Sequence, residues 1–204
     1  MSSRNSYTKH VLWATLCVTL FTVLILQLNT KDVMSSEVHR LTLPFNNGET
    51  WYICQGYNGQ ISHQGTFALD LSIDPNSPGT TGCTPGTANA STGRAVRAPA
   101  GGKIVYRDYQ SVCIDLEGRD ESIYITHLDN PAAKGAIAHD DLLGTVAAPG
   151  TGNGGYAHIH VEIHPGSGCA ASGSPIPFDD AHGTRFEGAP NLPSMGTTVN
   201  QYSG

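Results

Sequence analysis

The chain has 204 residues, which is enough for one domain with a hydrophobic core and one additional segment. It contains 24 glycines and 12 prolines, and charged side chains make up only 14% of it, a composition that argues against a helical bundle. The formal net charge is -6 and no run is rich in lysine or arginine, which argues against nucleic acid as a partner.

The first predicted element is a transmembrane helix at residues 11–28, a run that is apolar apart from three threonines, one cysteine and one glutamine. A helix of this length rises about 27 Å, close to the thickness of the bilayer core. Arg4 and Lys9 precede the run, so the positive-inside rule predicts a cytoplasmic tail at residues 1–10 and an exported domain. A cleaved signal peptide is the alternative, and it also exports the domain.

Residues 29–42 are polar and are predicted to form a tether to a domain at residues 43–204. Within the domain, strand-like runs are bounded by Gly, Pro, Asn or Asp, which favour turns. These runs are residues 66–73, 102–107, 111–116, 122–128, 142–146 and 158–164. Short and closely spaced strands predict a mainly β fold, either an antiparallel β sandwich or an open barrel. Its core is expected at residues 43–165, followed by a loop-rich segment at 166–204.

The cysteines of the exported part are candidates for disulfide bonds, which an oxidising compartment stabilises. No pair has the C-x-x-C spacing of a thiolate zinc site. The sequence therefore predicts two disulfides, without their pairing, among Cys54, Cys83, Cys113 and Cys169.

Histidines cluster in the predicted strand YAHIHVEIH. His158 and His160 are two residues apart, so their side chains share one face of the strand. Glu162 and His164 share that face, and the intervening aliphatic side chains are predicted to face the core. Two neighbouring imidazoles can bind or serve one metal ion, although an ordinary surface strand can also carry this pattern. His164 precedes a proline at the strand end and is predicted to lie on the surface.

Asp70 lies inside the apolar run TFALDLSI, where a desolvated carboxylate needs a partner. A metal ion is one such partner, and an arginine or a turn is the alternative. His63 precedes this run, and His127 ends another predicted strand, where a purely structural histidine is the alternative. Two histidines and one carboxylate match the ligand count of catalytic zinc, and further histidines can then move a proton. The helical H-E-x-x-H motif is absent from the sequence.

Four segments, taken in order, resemble the lysostaphin/LytM-type zinc metallopeptidases, also called the duplicated hybrid motif peptidases. They are SHQGTFALDLS, AVRAPAGGKIV, YITHLD and LLGTVAAPGTGNGGYAHIHVEI, and the resemblance covers roughly residues 43–165. It implies an antiparallel β fold with the site in a groove across the sheet. It also implies hydrolysis of peptide bonds in bacterial cell-wall peptidoglycan.

By position in these motifs, the resemblance implies that one zinc ion is bound by His63, Asp70 and His160. It implies that His127 and His158 are the catalytic histidines. Because all of these residues are present, the resemblance favours an active enzyme over a degenerate copy.

Three further side chains lie near these motifs in the sequence. Tyr57 could supply a hydroxyl to the oxyanion, with simple packing as the alternative. Glu162 could orient a ligand imidazole, with a solvated or structural role as the alternative. Tyr124 stands three residues before His127, whereas the family has its tyrosine two residues before, so strand alternation predicts that Tyr124 lies on the other face without a site role.

The leading hypothesis is a zinc metalloendopeptidase that acts on peptidoglycan or another peptide substrate. It is expected to be held at the membrane by residues 11–28, or secreted if that segment is cleaved. The alternative is a catalytically silent or latent zinc-binding recognition module of the same fold.

Overall fold

The structure is a computed structural model that describes residues 39–59, 61–73, 90–150, 152–169, 174–182, 184–187 and 197–199. The chain divides into two compact units, Met1–Glu37 and Val38–Gly204, and all described residues lie in the second. The predicted cytoplasmic tail and transmembrane segment, and also Cys83, lie outside the described residues. Among the residues that are described, no helix is long and apolar enough to cross a membrane.

Strands dominate the described part of the chain, which contains one short 3-10 helix at Asp180–His182. In chain order the strands are β1 (His39–Leu41), β2 (Thr50–Gln55), β3 (Ala68–Ser72), β4 (Ala95–Arg97), β5 (Gly102–Arg107), β6 (Val112–Leu116), β7 (Glu121–Thr126), β8 (Leu128–Asp129), β9 (Gly135–Ile137), β10 (Leu142–Val146), β11 (Ile159–Pro165), β12 (Thr184–Phe186) and β13 (Thr197–Val199).

The largest sheet has eight strands in the order β13-β2-β3-β11-β7-β6-β5-β9. All of its neighbouring strands are antiparallel. A smaller antiparallel sheet has the order β4-β10-β8, and β1 pairs in parallel with β12. The prediction of a mainly antiparallel β fold is therefore confirmed for the described residues.

Alternation along the central strands separates a core face from a polar face. On β11, Ile159, Val161 and Ile163 are fully buried, and on the neighbouring strand β7 so are Ile123 and Ile125. Fully burying one such side chain contributes about 1.5–3 kcal/mol. The smaller sheet adds buried side chains to the same hydrophobic core, among them Val96, Leu143 and Val146. The even-numbered residues of β11 consequently lie on the opposite, polar face, as predicted.

Two short strands lie in segments that the sequence predicts as a tether and as a loop-rich region. Residues His39–Leu41, which were assigned to the tether, form β1, and Thr184–Phe186, within the loop-rich segment, form its partner β12. Leu41 and Phe186 are both buried in the core. The two paired strands are separated in sequence by more than half of the chain length. A run of three residues is too short to show the alternation that identifies a strand.

A disulfide joins Cys113 on β6 to Cys169, which follows β11. Cys54 is also disulfide-bonded, and its partner lies outside the described residues. The prediction of disulfides is thus confirmed for these cysteines. In the sheet, Cys113 is the cross-strand neighbour of Tyr124 on the polar face. The disulfide to Cys169 therefore holds the segment after β11 against that face.

Removing this disulfide should lower the stability of the fold. The bond closes a sequence separation of 56, and a cross-link of this kind contributes about 2–4 kcal/mol by restricting the unfolded chain. The Cys113→Ala, Cys169→Ala double variant is expected to lose about that much free energy of unfolding in urea denaturation under non-reducing conditions. An unchanged denaturation midpoint and slope would contradict this prediction.

Candidate metal centre

Three elements bring His63, Asp70 and His160 together. Asp70 on β3 and His160 on β11 are direct cross-strand neighbours in the large sheet. His63 lies in the turn between β2 and β3, where its backbone N–H donates to the Gly59 carbonyl. One ligand atom from each of the three side chains lies within 4.8 Å of the other two. The three residues that the sequence pointed to as metal ligands therefore form one cluster.

Asp70 is the centre of this cluster and is only 2% exposed. Its Oδ1 lies 3.0 Å from His160 Nδ1, 3.2 Å from His63 Nε2 and 3.6 Å from His158 Nε2. Burial by itself would raise the pKa of Asp70, but hydrogen bonds from His160 and His63 outweigh burial and hold that pKa well below its usual range. A buried carboxylate that stays ionised needs a positive charge beside it.

In each of the two imidazoles of the cluster, the nitrogen that faces away from the cluster already makes a hydrogen bond. His63 Nδ1 lies 2.9 Å from the Gly56 carbonyl oxygen, and His160 Nε2 lies 3.1 Å from Glu162 Oε1. Both partners are acceptors, so each of these nitrogens carries a proton and donates. The remaining nitrogens, His63 Nε2 and His160 Nδ1, then face each other 3.2 Å apart. Histidine ligands of metal ions are typically held in this way by an acceptor behind the ring.

This donor set fits a zinc ion. Two imidazole nitrogens and one carboxylate oxygen converge, which is the protein ligand count of a catalytic zinc site with one open position. Burial would lower the pKa of His160, but hydrogen bonds to Asp70 and Glu162 outweigh it and raise the pKa to about 9. Two carboxylates therefore flank His160, and a cation at the cluster would balance their negative charge.

His158 and His127 stand beside the cluster. His158 Nδ1 lies 3.1 Å from the Tyr156 carbonyl oxygen, which leaves Nε2 directed toward Asp70. The rings of His127 and His158 are 4.5 Å apart, and those of His127 and His160 are 6.1 Å apart. Burial, reinforced by the neighbouring His158 and His160, lowers the pKa of His127 to about 3. His127 is therefore neutral near pH 7, and its buried Nδ1 has no hydrogen-bond partner among the described residues.

The cluster opens into a groove. Asp70, His127, His158 and His160 all line it. The other lining residues carry no formal charge, and they are Ile61, Ser62, Tyr124, Thr126, Gly152, Asn153, Gly154 and Tyr156. A ligand in this groove would meet hydroxyls, one amide, glycine backbone and aromatic rings beside the ionisable cluster.

The tyrosines are placed differently from the predictions. Tyr57 lies outside the groove: its ring packs against Phe67 and Phe178, and its hydroxyl accepts a hydrogen bond from the Phe178 backbone N–H. Its packing alternative is therefore the one that the structure shows. Tyr124 lines the groove, and the prediction that it lies on the other face was wrong. His127 has a left-handed backbone with φ of 68°, so strand alternation does not extend from Tyr124 to His127.

Asp70 Oδ2 accepts hydrogen bonds from two polar residues that the sequence analysis did not identify. The Tyr156 hydroxyl donates to this oxygen over 3.3 Å, and the Gln55 side-chain amide donates over 3.0 Å. The Tyr156 ring also stacks on His158, with centroids 4.1 Å apart. Tyr156, His158 and His160 stand at alternate positions of the sequence. The two-residue spacing that identifies His160 could therefore also have identified Tyr156. Gln55 gave no such signal, because it ends β2 and is separated from Asp70 by 15 residues without a shared pattern.

Glu162 and His164 extend the site along β11. Glu162 Oε1 lies 3.1 Å from His160 Nε2, and its other carboxylate oxygen lies 3.0 Å from His164 Nε2. Burial would raise the pKa of Glu162, but hydrogen bonds from both imidazoles lower it to about 2. The prediction that His164 lies on the surface was wrong, since only 3% of it is exposed.

Replacing Glu162 by alanine should weaken zinc binding without abolishing it. The change removes the acceptor behind His160, and loss of such a partner typically costs about 10–100-fold in metal affinity. Competition with a chromophoric chelator would measure the dissociation constant. Glu117→Ala is a matched control, because that carboxylate is exposed and lies away from the cluster. Equal zinc affinity in the two variants would contradict the role of Glu162.

Comparison with known proteins yields similar structures only. No family model matches the chain, and no curated protein does. The similar solved structures include pseudoalterin, an M23 metalloprotease from the deep sea, with 18% identity and a TM-score of 0.49 over 69% of this chain and 75% of that chain. Lysostaphin, an antimicrobial peptidase from Staphylococcus simulans, has 17% identity and a TM-score of 0.46 over 77% of this chain and 61% of its own. A zinc-containing peptidase from Vibrio cholerae has 19% identity and a TM-score of 0.40, with 61% of this chain and 36% of that chain covered.

Among the similar structures, pseudoalterin and EnpA of Enterococcus faecalis are described as M23 proteins, and lysostaphin is described as an antimicrobial peptidase. The chain spans 61% of lysostaphin and 36% of the Vibrio cholerae peptidase. These three structures share 17–19% identity with the chain at TM-scores of 0.40–0.49.

Proposed function

We propose that the chain is a zinc-dependent metalloendopeptidase. The observation that carries the proposal is the convergence of His63, Asp70 and His160 at a groove that two further imidazoles line. A site that only binds a metal ion would need no more than the three ligand residues. The additional pair, His127 and His158, supplies groups that can accept and return protons beside the same cluster.

Each residue has a role that its contacts support. His63 Nε2, Asp70 Oδ1 and His160 Nδ1 would hold the zinc ion, since these atoms converge. A zinc ion held by such a set would polarise a peptide carbonyl and lower the pKa of water toward neutrality, so that a hydroxide nucleophile would be available near pH 7. His158 Nε2 faces the cluster without a proton and can accept one. His127 is neutral and can exchange a proton with the substrate or hydrogen-bond to its carbonyl.

The substrate we propose is a peptide without large charged side chains, and peptidoglycan is the substrate that the motif resemblance favours. The lining of the groove supports this choice, because no lysine, arginine or glutamate side chain lines it among the described residues. Peptide backbones offer carbonyl and amide groups to hydroxyls such as those of Ser62 and Thr126. Stem peptides or cross-bridges of the wall would present such a backbone.

We further propose that the enzyme works outside the cytoplasm, either anchored through residues 11–28 or secreted. Support comes from the Cys113–Cys169 disulfide, since such bonds persist in oxidising compartments. The apolar run at residues 11–28 supports the membrane anchor.

The test is digestion of purified peptidoglycan by the full-length chain, purified with its disulfides intact. Released fragments are identified by mass spectrometry with and without a chelator. We expect soluble fragments with new amino termini, and we expect the chelator to prevent their release. Fragments cut only in the glycan, or an absence of fragments from several wall types despite one bound zinc per chain, would contradict the proposal.

A further inference from the structure

The hydrogen bonds of the metal centre continue along β11 beyond Glu162. Glu162 Oε1 accepts from His160 Nε2 over 3.1 Å, and Glu162 Oε2 accepts from His164 Nε2 over 3.0 Å. Each oxygen of this one carboxylate is thus held by an imidazole two residues away on the same strand face. His160 belongs to the metal cluster, whereas His164 does not.

His164 is fixed more firmly than a surface histidine would be. It is 3% exposed and lies directly opposite Ser122 on β7. The Ser122 hydroxyl accepts a hydrogen bond from the Cys169 backbone N–H, and Cys169 is bonded to Cys113. The chain after β11 is therefore attached to the sheet at Ser122, directly opposite this buried imidazole.

Glu162 needs such an anchor because its side chain has three rotatable bonds and is 18% exposed. With one hydrogen bond, its carboxylate could rotate into water and release His160. With two, it stays in place, and the ring of His160 stays turned so that Nδ1 faces His63 and Asp70. Preorganised partners of this kind raise metal affinity because less freedom is lost on binding.

We propose that His164 is a positioning residue for the metal centre, which acts through Glu162 to hold His160 in its ligating orientation. The proposal rests on the proposed function in assuming a zinc ion at the cluster of His63, Asp70 and His160. His164 itself touches neither the metal nor the substrate. Its contribution is the Nε2–H that occupies Glu162 Oε2.

The experiment measures zinc dissociation constants of the purified full-length chain by competition with a chromophoric chelator. His164→Leu removes the donor and should weaken zinc binding about tenfold, the lower end of the loss seen for direct partners of a ligand. His164→Gln keeps an N–H donor at a similar reach and should stay within about threefold of the unmodified chain. Ile163→Val is the matched control, because it changes the adjacent residue on the core face of β11 and should leave the affinity unchanged.

A double-variant cycle shows whether His164 acts through Glu162. In a Glu162→Ala background, His164→Leu should cause no further loss of zinc affinity, since the carboxylate it holds is gone. In the zinc-loaded chain, nuclear magnetic resonance should show that the ring N–H of His160 exchanges with water faster in His164→Leu than in Ile163→Val. Unaltered affinity in His164→Leu, equal losses in both backgrounds, or no rescue by glutamine would overturn the proposal. If the unmodified chain binds no zinc in the same titration, the proposed function itself fails, which is a separate outcome.

Discussion

Replacement of His160 by alanine should lower the zinc affinity of the chain by about a hundredfold to a thousandfold. A structural zinc site with four ligands is worth about 10–16 kcal/mol, so one ligand corresponds to roughly 3–4 kcal/mol. His160 contributes more than its nitrogen, because it also joins Asp70 to Glu162. Its removal leaves two buried or half-buried carboxylates without their shared imidazole. Zinc content after dialysis at a micromolar free zinc concentration is the measurement.

The matched control for this variant is His182→Ala. His182 is exposed, pairs with Asp179 and lies outside the cluster. This control should retain one zinc ion per chain under the same dialysis. Full zinc stoichiometry in His160→Ala would show that the ligand assignment is wrong.

Replacement of His127 by asparagine should leave the zinc stoichiometry unchanged and lower the hydrolysis rate by about 10²–10⁴-fold. Positioned proton transfer contributes rate factors of this size, and asparagine cannot transfer a proton near pH 7. His127 is placed for the task because its ring lines the groove and lies 4.5 Å from the ring of His158. Asparagine is a better replacement than alanine because residue 127 has a φ of 68°, a conformation that asparagine tolerates.

His139→Asn is the control for this second variant, since His139 is exposed and lies outside the groove. Turnover of a peptide substrate at saturating zinc would be compared among the unmodified chain and both variants. Undiminished turnover in His127→Asn would contradict a catalytic role for His127. A parallel loss of zinc would instead make His127 part of the metal site.

The sequence predicted those parts of the site that depend on local alternation. His160, Glu162 and His164 share one face of β11 because successive side chains of a strand alternate, and the aliphatic residues between them are buried. Asp70 could be found in the same way, because a carboxylate inside an apolar strand requires a compensating partner. Both inferences need only a few consecutive residues.

Other features depend on contacts between distant parts of the chain. Tyr124 was misplaced because the left-handed backbone at His127 interrupts the alternation. His164 was misplaced because its cover follows β11 and is attached through the Cys113–Cys169 bond. Tyr57 packs against Phe178, which lies more than a hundred residues away. None of these contacts leaves a periodic pattern from which it could be predicted.

We propose that one zinc ion at His63, Asp70 and His160 makes the chain a peptidase. The most direct test is a zinc titration of hydrolysis by the metal-depleted full-length chain. We expect no cleavage at the start, a rate that rises in proportion to added zinc, and a plateau at one equivalent per chain. Cleavage at the full rate by the metal-depleted chain, or a fully zinc-loaded chain that cleaves no peptide bond, would contradict the account.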